Sequence, residues 1–406
     1  MKILQINVRY NYGSTGKMTK EIHQALLDSG DQSVVLYGRK DNFEDENVHK
    51  VCTEFYAKLN NLRSRFDGLM YGGCYFSTNR IISMIKKEKP DIVHLQCING
   101  YFVNIYRLVN WLKNNKIKTV LTLHAEFMYT ANCAHALDCS KWVNGCKNCE
   151  RFKKETKSLF FDRTEKSFEK MKNAFEGFED NLTVVSVSPW LHSRAVQSEI
   201  LKDKKHTVIC NGVDTDIFKF RHSESIKKEL GIKDEKIVFH ATAMFSDEAG
   251  HFKGGRYIIE LAERMKNKPV KFVIAGKNNV SSQLPDNIIV LGEINDQNKL
   301  AEYYSAADVT VITSKKETFS MICAESLCCG TPVAGFKAGA PELISMTDYS
   351  EFAEYGDVDS LENIVNVWTQ KDCDKFCVSF AAEKIYSCKK MIDSYKKVYQ
   401  EMIYED

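Results

Sequence analysis

Runs of β-forming residues alternate with helical runs of about 10–15 residues along most of this chain, and that alternation limits its fold more than any other feature. The first series of strand-like runs falls at 2–8, 33–37, 91–96, 119–124, 183–188 and 207–210. Between them, 17–29, 81–89 and 105–114 carry apolar residues at helical spacing, as in Met18, Ile22, Ala25 and Leu26. A second series follows at 237–242, 271–275, 288–291, 308–313 and 332–335, with a helix at 257–265. Strand, helix, strand repeats build parallel sheets covered on both faces. The expected fold is therefore α/β, with two Rossmann-like domains joined near Asn211 and facing each other across a cleft. The expected boundaries are 1–205 for an N-terminal domain, 206–380 for a C-terminal domain, and 381–406 for an amphipathic helix, a candidate to pack back on the first domain. In such sheets ligands sit beyond the carboxyl ends of the strands.

Composition narrows the class. With 44% apolar and 27% charged residues over 406 positions, a disordered chain, a collagen and a coiled coil are excluded. Lys and Arg number 56 against 54 Asp and Glu, so no global field attracts nucleic acid. No run approaches the ~18 apolar residues of a membrane helix. The opening residues 1–8 read as a strand and not as a signal peptide, so the 14 cysteines are expected in a reducing cytoplasm.

One stretch carries the strongest chemical signal. Glu317 and Glu325 stand eight residues apart directly after a buried strand, and Phe319, Ser320 and Met321 open a helix between them. Free N–H groups at a helix start favour a phosphate. A carboxylate farther along that helix, Glu325, suits a vicinal diol such as a ribose. Lys253, before Gly254 and Gly255 and a second helix start, suits a diphosphate leaving group. His124 ends a strand and is expected to point into the cleft. Gly13-Ser14-Thr15-Gly16 is a glycine turn between strand and helix, without a dinucleotide fingerprint.

The segment from Glu317 to Glu325 resembles the Glu-x7-Glu signature of family 4 retaining glycosyltransferases, which have the GT-B fold. Leu123-His124, Asn211-Gly212-Val213-Asp214, Lys253-Gly254 and Gly339-Ala340-Pro341-Glu342 match in order and spacing, and the similarity runs from about residue 1 to 345. The resemblance implies that Glu325 binds the ribose, that Glu317 contacts the transferred sugar, and that backbone groups at Phe319, Ser320 and Met321 meet the phosphates and sugar. It implies catalytic roles for His124, Glu317 and Lys253, and approach of Gly13 and Gly16 to the donor diphosphate or the acceptor. Asn99-Gly100-Tyr101-Phe102-Val103-Asn104 and the cysteine-rich run 124–149 resemble the bacterial capsule, colanic-acid and O-antigen branch, placing Tyr101 and Asn104 in the acceptor site. Two family features are missing. The arginine a few residues before Lys253 is absent, leaving His251 or Lys277 to stand in; the aspartate after the histidine is Ala125, with Glu126 next.

Cys133, Cys139, Cys146 and Cys149 form C-x5-C-x6-C-x2-C within the insertion 133–149. Four thiolates so spaced suit a structural zinc ion, with His135 an alternative ligand; packing or redox thiols and some other cluster are the other readings. In 55–80, Lys58, Arg63, Arg65 and Arg80 interleave with aromatic and aliphatic residues, which fits either an anionic lipid surface or packing against the domain. The long amphipathic helix at 381–404 is expected to pack against a domain, with membrane contact as the lesser reading.

These readings converge on a cytoplasmic retaining glycosyltransferase, peripheral on the cytoplasmic face of the inner membrane. It would move a hexose from a UDP- or GDP-sugar to an oligosaccharide or undecaprenyl-diphosphate-linked acceptor in surface polysaccharide synthesis, with no cofactor needed for catalysis. A GT-B-fold nucleotide-sugar epimerase and a non-catalytic sugar-binding scaffold are the rival readings.

Overall fold

In the computed structural model, which describes residues 1–40, 42, 43, 45–222 and 224–404, the apolar runs form two separate all-parallel sheets. One compact unit comprises residues 1–209 together with the chain from Ile392 onward; the other is Cys210–Met391. The first sheet holds β1 (Lys2–Asn7), β2 (Gln32–Tyr37), β3 (Val48–Lys50), β4 (Ile92–Leu95), β5 (Thr119–Leu123), β6 (Leu182–Ser186) and β7 (Lys205–Val208), in the order β3-β2-β1-β4-β5-β6-β7. The second holds β8 (Lys236–Phe245), β9 (Val270–Asn278), β10 (Ile288–Gly292), β11 (Val309–Ile312), β12 (Val333–Phe336) and β13 (Ser350–Ala353), in the order β10-β9-β8-β11-β12-β13. Both orders are doubly wound. Each sheet reverses direction of growth between its first strand and its fourth, at β1/β4 and at β8/β11, the places where such sheets open to ligands.

The central strands are buried along nearly their whole length, as expected of strands covered by helices on both faces. In the second unit, helices Gly255–Arg264 and Val358–Gln370 lay Ile258, Leu261, Leu361 and Val365 on Val238, Phe272 and Val311. The edge strands β3 and β13 were not expected. They are three and four residues long and only partly buried, so they lack the apolar run that marks the central strands.

Two expected helices differ in extent. The first begins at Gly13, inside the expected turn, and runs to Asp28. Asn7 draws this turn in: its Nδ2 donates to the carbonyls of Arg9 and Thr15 at 2.9 and 3.1 Å and to Thr19 Oγ1 at 2.8 Å. The C-terminal helix is two helices, Lys375–Tyr386 and Cys388–Tyr404. The break at Ser387 is made by Val213, whose N–H donates to Tyr386 O at 2.7 Å while its carbonyl accepts from Cys388 N at 3.0 Å. Gly212 is required there, since a Cβ would stand 2.6 Å from Cys388 Cα.

The second of these helices belongs to the first unit from Ile392 onward, and its apolar face is buried there. Tyr395 and Tyr399 reach fully buried polar groups of β4 and β5: Tyr399 OH lies 2.7 Å from His94 Nδ1, Thr122 Oγ1 lies 2.8 Å from His94 Nε2, and Tyr395 OH lies 3.0 Å from Thr122 Oγ1. Removing the Tyr399 hydroxyl leaves the buried His94 Nδ1 with only the long contact to Gln96 Nε2 at 3.5 Å. Tyr399→Phe should therefore destabilise the fold by about 1–3 kcal/mol, read as a lowered urea midpoint at unchanged far-UV dichroism.

Candidate functional site

In the second unit, the loops after β8 and β11 meet at the switch point. Gly254 adopts φ +66° and approaches Thr313 so closely that a Cβ would lie 2.1 Å from its carbonyl oxygen. Thr313 Oγ1 donates to Lys253 O at 3.1 Å, and Lys315 N donates to Phe252 O at 2.9 Å. The stitched loops set Lys253 Nζ 2.6 Å from Glu317 Oε1. Glu317 is fixed from the other side, its N–H donating to Ala338 O at 2.9 Å and its carbonyl accepting from Ala340 N at 3.2 Å. The Gly339-Ala340-Pro341-Glu342 loop closes on itself as Glu342 accepts from the N–H groups of Ala338 and Gly339 at 3.0 and 2.9 Å.

Ser320 then starts helix Met321–Cys328 with φ +85°, a backbone region that residues other than glycine rarely occupy. Such strain is held by surrounding structure and concentrates at working sites. Glu325 lies on this helix, where the fully buried Tyr304 donates to its Oε2 at 3.2 Å. Thus Lys253, Glu317, Phe319, Ser320, Met321 and Glu325 fall on two adjoining loops and one helix. Phe319 is buried, so only its backbone is offered to a ligand.

Of the two stand-ins for the missing arginine, His251 is in the Lys253 loop with a buried Nδ1 that has no hydrogen-bond partner. Lys277 is exposed near the end of β9. Sequence reasoning missed His240, a buried β8 residue whose Nδ1 bonds Val311 O at 2.9 Å. Burial first, and the Lys253 charge after it, push its pKa down to about 4. It also missed Tyr304 as the partner of Glu325. Neither carries a motif; strand and helix neighbours bring them in.

In the first unit, His124 follows β5 and its Nε2 lies 2.8 Å from Gln96 Oε1, which fixes the proton on Nε2. Burial lowers its pKa to about 4, so it is neutral at physiological pH. Gly13 and Gly16 lie in the first turn of helix Gly13–Asp28, where Asn11 N donates to Gly16 O at 2.9 Å. Tyr101 is half-buried at φ +61°. Asn104 is 4% exposed with both ends of its amide engaged: Oδ1 caps helix Ile105–Asn114 through Arg107 N, and Nδ2 donates to Gly72 O at 2.9 Å. Glu126 does not replace the missing aspartate. It is wholly buried and accepts from Arg194 Nε at 2.7 Å, Tyr129 OH at 2.6 Å and Ala136 N at 2.6 Å. That carboxylate ties the cysteine-rich segment to the domain.

Cys133, Cys139, Cys146 and Cys149 line one cavity of about 150 Å³, and all 14 cysteines of the chain are free. Among the described residues no group of three or more His, Cys, Asp or Glu side chains is arranged to hold a metal ion. Cys146 Sγ lies 3.6 Å from Thr130 O, and burial raises its pKa to about 12. Among the described residues no helix is long and apolar enough to cross a membrane.

The model of Glycosyltransferase Family 4 matches residues 15–217, half of the chain, and that of Glycosyl transferases group 1 matches 222–380. The chain belongs to the family 4 glycosyltransferases. A protein of Escherichia coli that bears the name of a colanic acid biosynthesis glycosyl transferase, WcaC, is 22% identical over 82% of this chain and 82% of its own length. An uncharacterised 41.2 kDa protein in the cps region of Klebsiella pneumoniae is 23% identical over 93% of this chain and 99% of its own. Among solved structures, Anabaena Alr3699/HepE in complex with UDP superposes at a TM-score of 0.67, with 14% identity over 99% of this chain and 100% of that one. The same protein is known with UDP-glucose. The fold of this family 4 transferase is thus GT-B.

Three histidines of the transferase, His94 and His240 buried and His124 half-buried, are held neutral: desolvation lowers the pKa of His94 to about 3 and those of His124 and His240 to about 4. The unfolded chain protonates all three near pH 6.5, so it binds more protons than the folded chain below that pH, and stability falls as pH falls. Between about pH 6.5 and pH 5 the loss should reach up to about 1.4 kcal/mol per pH unit for each histidine, and urea midpoints across that window measure it. A flat midpoint there would contradict the neutral assignments.

Proposed function

We infer that this chain moves a hexose from a UDP- or GDP-sugar, with retention of anomeric configuration, to a lipid-linked oligosaccharide acceptor in surface polysaccharide synthesis. The observation that carries this reading is the Lys253–Glu317 pair at 2.6 Å beside the strained start of the helix that bears Glu325. A nucleotide-sugar needs those three features in that order: a cation and free N–H groups for the diphosphate, a carboxylate for sugar hydroxyls, and a second carboxylate for the ribose diol. Tyr304 holds the second carboxylate in one orientation. The names of the Escherichia coli and Klebsiella relatives support a polysaccharide setting, and the UDP complexes of the Anabaena structure support a nucleotide donor, UDP-linked before GDP-linked.

On this reading the donor C1–O bond to the diphosphate breaks while the acceptor hydroxyl oxygen bonds to C1 on the same face. The departing diphosphate oxygen takes the hydroxyl proton. Lys253 and the helix start at Ser320 stabilise the charge that develops on that oxygen, and positioning supplies much of the remainder. Neutral His124, with Gly13 and Gly16 nearby in sequence to the first strand end and Tyr101 on its own loop, would serve the acceptor side; Asn104, whose amide is engaged at both ends, would act only by holding the loop of Tyr101.

A thermal-shift screen of UDP, GDP, ADP and their sugar conjugates tests the donor assignment, since a ligand bound only to the native state raises the melting temperature. Glu325→Ala should weaken nucleotide binding about 10- to 100-fold, and Lys253→Ala should cut turnover about 100- to 1000-fold with smaller loss of binding. No shift from any nucleotide, or wild-type turnover by the Lys253 variant, defeats the assignment.

A further inference from the structure

Helix Glu54–Asp67 is turned inside out. Phe55, Leu59, Leu62 and Phe66 recur at the spacing of a core-facing stripe, yet they are 72%, 46%, 51% and 50% exposed. The residues that this helix buries are Ala57, Asn60 and Ser64, small or polar. Such a face costs solvation unless something covers it, and single surface apolar residues would need no comment. These are not single. Phe66 lies against Phe160 with ring centroids 6.0 Å apart, and Phe160 against Phe161 at 6.2 Å. Phe76, 78% exposed, joins the other end through Tyr56 at 5.8 Å. Of the 18 exposed large hydrophobic residues in the described chain, nine fall in 55–76 and 159–161.

Charge identifies what fits this face. Segments 54–76 and 151–166 carry nine Lys or Arg against five Asp or Glu, although the whole chain is only +2. The acids there are engaged: Glu54 with Arg39, Asp67 with Arg63, Glu155 with Arg151, and Asp162 with Cys149 N and Thr164. Glu165 alone remains. Lys58 and Arg65 stand exposed beside the stripe, and Arg163 lies over the Phe161 ring at 5.2 Å. An apolar strip flanked by cations is the complement of an anionic bilayer surface, which receives the rings below its headgroups and the cations among them.

We propose that the exposed face of helix Glu54–Asp67, extended by Phe160 and Phe161, docks this transferase on an anionic lipid surface. The proposal uses none of the donor residues, so it stands or falls apart from the nucleotide reading. The full-length protein is floated with vesicles of phosphatidylcholine alone and with vesicles containing about one-third phosphatidylglycerol. Binding to the anionic vesicles, weakened by added salt, is expected. Phe55→Ser with Phe66→Ser should lower that binding about tenfold or more, because two rings no longer partition. Lys58→Glu with Arg65→Glu should lower binding to anionic vesicles and leave the neutral ones unchanged. Both variants change exposed side chains, so melting temperature and nucleotide shift should match wild type and show that the fold is intact. Equal binding by wild type and the Phe variant, or none by wild type, overturns the proposal. So does a wild-type dimer that the Phe variant abolishes without any vesicle binding, which would assign the face to a second copy of this chain.

Discussion

A backbone contact between Gly254 and Thr313 is what the arrangement of Lys253 and Glu317 depends on. Any side chain at residue 254 would collide with the Thr313 carbonyl, and the left-handed φ of +66° excludes most residues independently. Gly255 is held as closely, with a Cβ position 2.6 Å from Ser246 O. The first approach folds the loop after β8 down onto the end of β11, and the second closes that loop on itself. Without them Lys253 would belong to an ordinary surface loop. With them it meets Glu317, which the Gly339 loop holds in place from the opposite side.

That pairing has a consequence for charge. A lysine on a free loop must lose rotamer freedom when it meets a phosphate, whereas one already directed by a carboxylate is oriented beforehand. Lys253 and Glu317 are partly accessible, at 27% and 16% of their side-chain surface, so the pair can exchange partners. Glu126 and Arg194 show the opposite design. The Glu126 carboxylate is at 0% exposure with three donors on it, and separating such a pair would leave a buried charge uncompensated. One carboxylate can answer to a ligand; the other can only hold the domain together.

The parallel sheets were legible because strands covered on both faces must be apolar along their length. The edges β3 and β13 were not, because a strand with one partner and a wet side needs no such run. Glu317, Ser320, Glu325 and Lys253 were legible through their order along the chain. Tyr304 and His240 were not, since the helix and strand that carry them reach the site through sheet order and have no local signature. Asn104 and Glu126 were legible as polar residues in telling places, but only their partners distinguish a cap and a buried ion pair from a ligand contact. The thiol spacing similarly marked four cysteines that line one cavity.

Two amphipathic helices show what periodicity leaves open. Met391, Tyr395, Val398 and Tyr399 share a face and are buried, whereas Phe55, Leu59, Leu62 and Phe66 share a face and are exposed. The apolar pattern is the same; the opposite faces differ. Around the C-terminal stripe stand Lys389, Lys390, Lys396 and Lys397, which require water, so only the apolar side can turn inward. Behind the stripe of helix Glu54–Asp67 stand Ala57, Asn60 and Ser64, and each can be buried at little cost: Asn60 accepts from Cys74 N at 2.7 Å, and Ser64 donates to Asn61 O at 2.7 Å. A helix with two buriable faces is free to place the small polar one on its own domain and keep the large apolar one for a surface the chain does not itself supply. Which way an amphipathic helix turns is therefore set by its less conspicuous side.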